Sequence, residues 1–230
     1  MLVDVIAPIR AYSHHMAGYE QRLEAVLGGA TSELARAAAS RAIARVEHAA
    51  AVVLVEGVSD QIAVETLGAV RGDDMAGIAV FPTGGVHAFG PFIKHFGPRG
   101  RALRLSGLCD AAEASVVQEA LVAGGMLDPS HAIAESEFHI CDRDLEDELI
   151  RALGVDAAVA VIDEQGDLHR LRTMQHQPEW RNRPAADQIR RFLGSGARRK
   201  LRYAAAFVRA LPPERVPTPL RGALDAVVGA

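Results

Sequence analysis

The sequence predicts an α/β protein with a mostly parallel sheet flanked by helices and with helical extensions at both ends. Short apolar runs recur along the chain and end in turns, which is typical of strands buried on both faces. Stretches with apolar residues at helical spacing follow these runs, so predicted strands and helices alternate. The 230 residues, of which 49% are hydrophobic, suffice for one large domain with its own core.

The first strand and the helix after it contain the most informative residues. Ala51–Val55 is apolar and rich in β-branched side chains, and Glu56 follows it directly. Gly57 allows a sharp turn, and Ser59 is predicted to be the N-cap of the next helix. Asp60 then falls in the first helical turn. Open α/β sheets keep their sites at the carboxyl edge of the strands, so Glu56 and Asp60 are candidate site residues.

The remaining elements follow in order. Further strands are predicted at Ile78–Phe81, Leu103–Leu108, Phe138–Cys141 and Ala157–Ile162, and Leu168–Leu171 is expected to return as an edge strand after a hairpin-type turn. Helices are predicted at Val86–Phe96, Ala111–Gly124, Ala185–Leu193, Ala197–Leu211 and Pro217–Val228. A further helix is predicted from an N-cap at Asp142 to Leu153, and Met174–Pro184 is predicted to be a loop. We therefore expect a helical segment at 1–50, an α/β core at 51–172 and a basic helical segment at 173–230 that packs on the core.

Acidic residues also follow the third and fourth strands. Asp110 stands at the end of the third strand, with Glu113 one turn into the next helix, and Glu146 follows the fourth. Because carboxylates crowded together remain ionised only around a cation, and oxygen ligands suit Mg²⁺ or Mn²⁺, these acids suggest a divalent-metal site. An acidic helix face that merely contacts solvent is the alternative for Glu146.

The charge of the chain is uneven. Residues 170–221 contain 13 basic and 3 acidic residues, whereas the rest contains 12 basic and 26 acidic residues, for an overall net charge of −4. The basic part suggests contact with polyanions, and solvated arginines are an equally weighted alternative.

Gly84 and Gly85, after the second strand, could let backbone N–H groups approach a phosphate, but an ordinary turn is the simpler alternative.

Several classes of protein are not expected. The chain has two cysteines, Cys109 and Cys141, without a C-x-x-C pair, so we expect free thiols in a reducing compartment and no structural zinc. No apolar run approaches 18 residues, and Asp4 and Pro8 interrupt the first one, so neither a membrane span nor a signal peptide is expected. No P-loop motif occurs, so we expect no ATP site. The expected location is the cytoplasm.

The segment VLVEGVSDQIAVETL, which contains Glu56 and Asp60, resembles the opening motif of TOPRIM domains, the fold of topoisomerases, primases and OLD-type (overcoming lysogenization defect) nucleases. Asp144-Leu145-Glu146 is similar to the Asp-Leu-Glu sequence of the OLD type, and Lys200 matches a lysine near the start of a late helix. One departure stands out: Ala112 occupies the place of the second aspartate of the Asp-x-Asp motif, with Glu113 one residue later. Glu113 is then either a shifted metal ligand or the sign of a degraded second metal site.

The resemblance implies a stand-alone TOPRIM protein similar to the TOPRIM half of OLD-family endonucleases, hydrolysing phosphodiester bonds with Mg²⁺ or Mn²⁺. The implied metal ligands are Glu56, Asp60, Asp110, Glu113 and Glu146; the implied catalytic residues are Glu56 and Lys200; and the expected phosphate contacts are Gly84, Gly85, Arg198, Arg199 and Arg202. We expect DNA rather than RNA as the substrate, with a separate ATPase and a second copy of the chain as further candidate partners. The alternatives are a non-catalytic module that binds nucleic acid or a partner, and a nucleotidyl transferase.

Overall fold

A computed structural model of the chain describes residues 33–229 and shows a four-stranded parallel sheet. The strands are β1 (Ala51–Val55), β2 (Ile78–Pro82), β3 (Arg104–Asp110) and β4 (Phe138–Cys141), in the order β2-β1-β3-β4. Val55 of β1 pairs with Pro82, and Asp110 of β3 pairs with Cys141, so the strands end close together at one edge. This edge is where the candidate site lies.

Ten helices surround the sheet in the described part of the chain. They are α1 (Glu33–Val46), α2 (Val58–Arg71), α3 (Phe89–Phe96), α4 (Ala114–Gly124), α5 (Leu145–Leu153), α6 (Val155–Glu164), α7 (Leu168–Gln175), α8 (Ala185–Gly194), α9 (Ala197–Ala210) and α10 (Thr218–Asp225). Short 3₁₀ turns lie at Val86–Ala88, Ala111–Glu113, Ile133–Glu135 and Pro213–Arg215. The predicted α/β class is therefore confirmed. Predictions for residues 1–32 lie outside the described residues.

Strand β1 shows how the two faces of the sheet are covered. All five of its residues are buried. Val53 and Val55 belong to a core that includes α2 and the helices from α5 onward, whereas Val52 and Leu54 belong to a second core with α3 and α4. Successive strand residues point to opposite faces, so the apolar run of β1 requires helices on both sides.

The predicted fifth strand, Ala157–Ile162, is wrong, because these residues form part of helix α6. Ala158, Val161 and Ile162 are buried at helical spacing, whereas Ala157 is exposed. The predicted edge strand at Leu168–Leu171 is likewise the first turn of helix α7. A short apolar run does not distinguish a strand from a buried helix face by its periodicity, and the surrounding helices decided the outcome here.

Two predicted helix caps also differ from the structure. Gly57, not Ser59, is the N-cap of α2, and the Asp60 carboxylate accepts a hydrogen bond from the Gly57 N–H at 2.9 Å. Asp144, not Asp142, caps α5 by accepting a hydrogen bond from the Asp147 N–H at 2.8 Å. Capping thus fixes the orientation of two carboxylates at the strand ends. Among the described residues, no helix is long and apolar enough to cross a membrane.

Candidate metal centre and adjoining groove

Three carboxylates converge at the carboxyl edge of the sheet. Glu56 follows β1, Asp110 ends the neighbouring strand β3, and Glu113 closes the 3₁₀ turn after it. Each offers one oxygen atom, and these three atoms lie within 4.8 Å of one another. The Asp110 N–H donates a hydrogen bond to Glu56 Oε1 at 3.3 Å, which holds the Glu56 side chain toward β3.

A second group of charged residues shares the cavity with Glu56 and Asp110. Asp60, Asp144, Glu146 and Lys200 contribute to the walls of this cavity, which has a volume of about 200 Å³. Lys200 Nζ lies 3.2 Å from Glu146 Oε1, and the Lys200 side chain is 41% exposed. The first turns of α2, α5 and α9 therefore bring three acids and one amine to the ends of β1 and β3.

Three acids of this cluster, Glu56, Asp110 and Glu146, hold their protons unusually tightly. Burial, reinforced by hydrogen bonding with Glu113, raises the pKa of Glu56 to about 9. Burial and the nearby charges of Asp60 and Asp144 raise the pKa of Asp110 to about 7. Burial also raises the pKa of Glu146 to about 7, although Lys200 opposes the shift. A cation between the carboxylates favours their ionised forms and offsets both the burial and the repulsion among them.

The residues present fit a hard divalent cation. The facing groups are carboxylate oxygens, the ligands that Mg²⁺ and Mn²⁺ prefer. The Oε2 atom of Glu113 is buried and has no hydrogen-bond partner among residues 33–229, although a buried carboxylate oxygen normally has one. An ion beside Glu56 and Asp110 would satisfy this oxygen and balance the negative charge.

The glycine pair after β2 has a different environment from the expected one. The N–H groups of Gly84 and Gly85 both donate to the backbone oxygen of Glu56, at 3.0 and 3.1 Å. Both glycines have a positive φ, 82° and 118°, which other residues rarely adopt. Because their donors are already used, the structure favours the turn interpretation over phosphate binding, and the turn fixes the backbone of Glu56.

The predicted phosphate contacts on α9, Arg198, Arg199 and Arg202, do not line the acidic cavity. Arg202 forms an ion pair with Asp167, whose side chain is only 2% exposed, and Tyr203 Oη donates to the same carboxylate at 3.1 Å. Arg199 covers the ring of Phe192, with its guanidinium carbon 4.1 Å from the ring centre. Arg198 is exposed. Arg199 and Arg202 therefore form intramolecular contacts, and their role as phosphate contacts stays a prediction.

Sequence reasoning missed the arginine that balances the cavity. Arg190 on α8 binds the Asp144 carboxylate through Nε at 2.7 Å and through a second nitrogen. Burial alone would raise the pKa of Asp144, but these hydrogen bonds and that from Asp147 lower it. Asp144 itself was visible in the Asp-Leu-Glu sequence, whereas nothing in the sequence links Arg190 to it.

An open groove adjoins the cavity and was also missed. Its volume is about 510 Å³, and it shares Asp144, Glu146 and Lys200 with the acidic cavity. The rest of its lining is mostly basic or aromatic: Arg143, Trp180, Arg183, Asp187, Arg190, Arg191 and Gly194. Residues that the sequence predicts as an irregular loop and a following helix thus form a wall next to the carboxylates.

Comparison with known proteins identifies the fold. Residues 48–105 match a family described as the TOPRIM domain of overcoming lysogenization defect protein-like proteins. The C-terminal region of the Xanthomonas campestris pv. campestris OLD protein superposes with a TM-score of 0.61 at 24% identity, over 80% of this chain and 94% of that one. For the C-terminal region of the Burkholderia pseudomallei OLD protein the TM-score is 0.58 at 19% identity, over 78% and 97% of the two chains. A search of curated proteins gave no match.

The family match covers β1, α2, β2 and α3, reaches the start of β3, and so contains Glu56 and Asp60. The structural similarity extends over most of the chain. The parallel sheet, its flanking helices and the acids at the strand ends agree with this assignment. The chain therefore has a TOPRIM-type fold, similar to that of the C-terminal region of OLD proteins.

Proposed function

We propose that this protein is a divalent-metal-dependent nuclease that hydrolyses phosphodiester bonds, with DNA as its expected substrate. The observation that supports the proposal most directly is the approach of the Glu56, Asp110 and Glu113 oxygens to within 4.8 Å of one another. A positive groove next to a cluster of acids is an arrangement that suits a polyanionic substrate and a cation together.

Glu56, Asp110 and Glu113 would hold one divalent ion, with Asp60 and Glu146 facing the same cavity as candidate ligands of a second. When bound, Mg²⁺ or Mn²⁺ supplies Lewis-acid polarisation of a phosphoryl oxygen.

The protein's own residues would perform the remaining tasks. Burial disfavours the Lys200 ammonium, but Glu146 and Asp60 outweigh it and raise the pKa of Lys200, so this side chain stays cationic at neutral pH. A partly exposed ammonium at the mouth of the cavity can bind a phosphate oxygen and stabilise the charge that develops on it. Glu56 serves as a metal ligand or as the group that accepts a proton from the attacking water.

The test is cleavage of a supercoiled plasmid and of a labelled linear DNA with Mg²⁺ or Mn²⁺. Glu56→Gln keeps the size of the side chain and removes its charge, and Glu164→Gln makes the same change at an exposed position at the end of α6. We expect cleavage by the wild type and Glu164→Gln, abolition by EDTA and a loss of at least about 100-fold in Glu56→Gln. Cleavage that survives Glu56→Gln would overturn the assignment.

Two other outcomes would select the alternatives. Nucleic-acid binding without cleavage under any metal condition would favour a non-catalytic module, as Ala112 in place of the second motif aspartate allows. Incorporation of labelled nucleotides on a primed template would favour nucleotidyl transfer. A separate ATPase, a homodimer and a cytoplasmic location remain expectations, and analytical ultracentrifugation of the purified chain would test the dimer.

A further inference from the structure

We propose that the groove beside the acidic cavity binds an unpaired nucleic-acid strand, with Trp180 stacking on a base and the surrounding arginines contacting phosphates. This inference deepens the proposed nuclease function, because it specifies the form in which the substrate reaches the carboxylates. It rests on the groove lining, on the ion pairs within it and on the position of the only tryptophan in the chain.

The charges of the groove favour a polyanion. Five basic side chains line it against three acidic ones, and two of those acids, Asp144 and Glu146, also face the acidic cavity. Arg143 is held by Asp187 at 2.8 Å, and Arg190 is held by Asp144. These pairs fix two guanidinium groups in place at the entrance to the cavity.

Two other arginines of the groove have charge available for a ligand. Within residues 33–229, Arg183 and Arg191 line the groove without forming an ion pair to a carboxylate, and both are exposed. An exposed arginine with no acidic partner can contact a phosphate without first breaking an internal bond. Arg183 and Arg191 are therefore the expected phosphate contacts of the groove, which Arg199 and Arg202 do not line.

Trp180 supplies the second element of the site. It is only partly buried, it lines the groove, and the Arg191 guanidinium carbon lies 5.8 Å from the centre of its ring. Its backbone oxygen accepts a hydrogen bond from Gln188 Nε2 at 2.8 Å, which anchors the segment to the buried face of α8. An aromatic ring next to a guanidinium plane is a platform on which bases stack without regard to sequence.

These features select an unpaired strand over a duplex. In a duplex the faces of the bases are stacked on each other and hidden, so that only phosphates and base edges can reach the protein. A tryptophan in the groove wall gains contact area only from a base whose face is exposed. The volume of about 510 Å³ also falls in the range of about 300–1,000 Å³ that suits ligands of the size of a nucleotide.

Binding to a fluorescein-labelled 12-nucleotide single strand, measured by anisotropy in EDTA, tests the inference without requiring cleavage. We expect the single strand to bind at least about tenfold more tightly than a blunt duplex of the same sequence. Trp180→Leu should weaken single-strand binding roughly 5- to 150-fold, and Trp180→Phe should restore most of the loss. Arg183→Gln with Arg191→Gln should lower the dependence of affinity on salt by about 0.7 per phosphate contact removed.

Arg221→Gln, at an exposed position outside the groove, is the matched control and should bind like the wild type. Equal affinity for single strand and duplex, wild-type affinity in Trp180→Leu, or displacement of the strand by equimolar poly-glutamate would overturn the inference. Single-strand binding by a chain that never cleaves would leave the inference standing and refute the nuclease proposal. If cleavage is lost in Glu56→Gln but unaffected in Trp180→Leu and the arginine variants, the nuclease proposal stands and the inference about the groove is refuted.

Discussion

Replacing Glu56 by glutamine is predicted to stabilise the protein in the presence of a chelator, although it removes a central acid of the candidate metal centre. The folded protein raises the pKa of Glu56 from the ordinary 4.5 to about 9, chiefly through burial. At pH 7 the folded state therefore holds a proton that the unfolded state releases, and folding must supply the energy of this uptake. Glutamine is neutral in both states and avoids that cost.

The size of the effect follows from the linkage between proton binding and stability. The pH of 7 lies about 2.5 pH units above the ordinary pKa of a glutamate, and each unit corresponds to about 1.36 kcal/mol. The upper limit of the gain in the free energy of unfolding is therefore about 3.4 kcal/mol. Glu56 is only partly buried, so water screens part of the repulsion, and we expect a gain of about 1–2 kcal/mol. The gain should grow as the pH rises from about 4.5 toward 9, because the wild type alone becomes less stable over this range.

Urea unfolding followed by circular dichroism, in EDTA at pH 5 and pH 7, measures the prediction directly. At pH 7 the free energy of unfolding of Glu56→Gln should be higher than that of the wild type, and at pH 5 the two should differ by well under 1 kcal/mol. Glu164→Gln should be as stable as the wild type at both pH values. Added Mn²⁺ should raise the midpoint of the wild type and leave Glu56→Gln almost unchanged. A glutamine variant that is less stable than the wild type at pH 7 would refute the reasoning.

Three further predictions concern the packing around the site. Asp167→Ala should lower the free energy of unfolding by about 2–4 kcal/mol, because the buried Tyr203 hydroxyl loses the carboxylate to which it donates. The loss should be smaller at low pH: hydrogen bonds and ion pairs lower the pKa of Asp167 against the effect of burial, and the stability that they contribute disappears as the pH falls through that pKa. Gly107→Ala should lower the free energy of unfolding by about 1–3 kcal/mol, because the new Cβ would lie 2.3 Å from the Phe138 ring. Arg202→Gln should change single-strand affinity by less than about twofold, because Arg202 lies outside the groove and pairs with Asp167.

Chemical unfolding checks the first two of these predictions, and fluorescence anisotropy checks the third. Tyr203→Phe should recover part of the stability lost in Asp167→Ala. Gly77→Ala is the control for Gly107→Ala, because among residues 33–229 a Cβ at position 77 would contact only Ala50, at 3.9 Å. An Asp167→Ala protein with wild-type stability, or a Gly107→Ala protein as stable as Gly77→Ala, would contradict the packing argument. A large loss of affinity in Arg202→Gln would restore α9 as a phosphate-binding surface.

The sequence predicted the convergence of the acids because the geometry of a parallel sheet leaves little freedom. Glu56 and Asp110 end neighbouring strands that run in the same direction, so their side chains must meet at one edge. Lys200 was placed only through the family resemblance, since spacing alone does not show which face of a late helix reaches the sheet. The structure brings it within 3.2 Å of Glu146.

Other features depended on packing that no local pattern records. The run Ala157–Ile162 has strand-like composition, but only one side of it, at Ala158, Val161 and Ile162, finds buried partners, and this favours a helix. The pairing of Arg190 with Asp144 joins residues 46 positions apart and arises only because α8 packs against α5. The groove is formed by the same packing and was therefore invisible in the sequence.

The contacts of Arg190 and Lys200 mean that the electrostatics of the carboxylate cluster are set partly from outside the sheet. Both cations come from helices α8 and α9, whereas the acids that they neutralise lie at the start of helix α5, with Asp144 as its N-cap and Glu146 in its first turn. A substitution that merely shifts α8 or α9 would alter the charge balance at the strand ends while every acid stays in place. Variation in these distant helices is thus a route by which related chains could tune ion affinity without changing a single ligand.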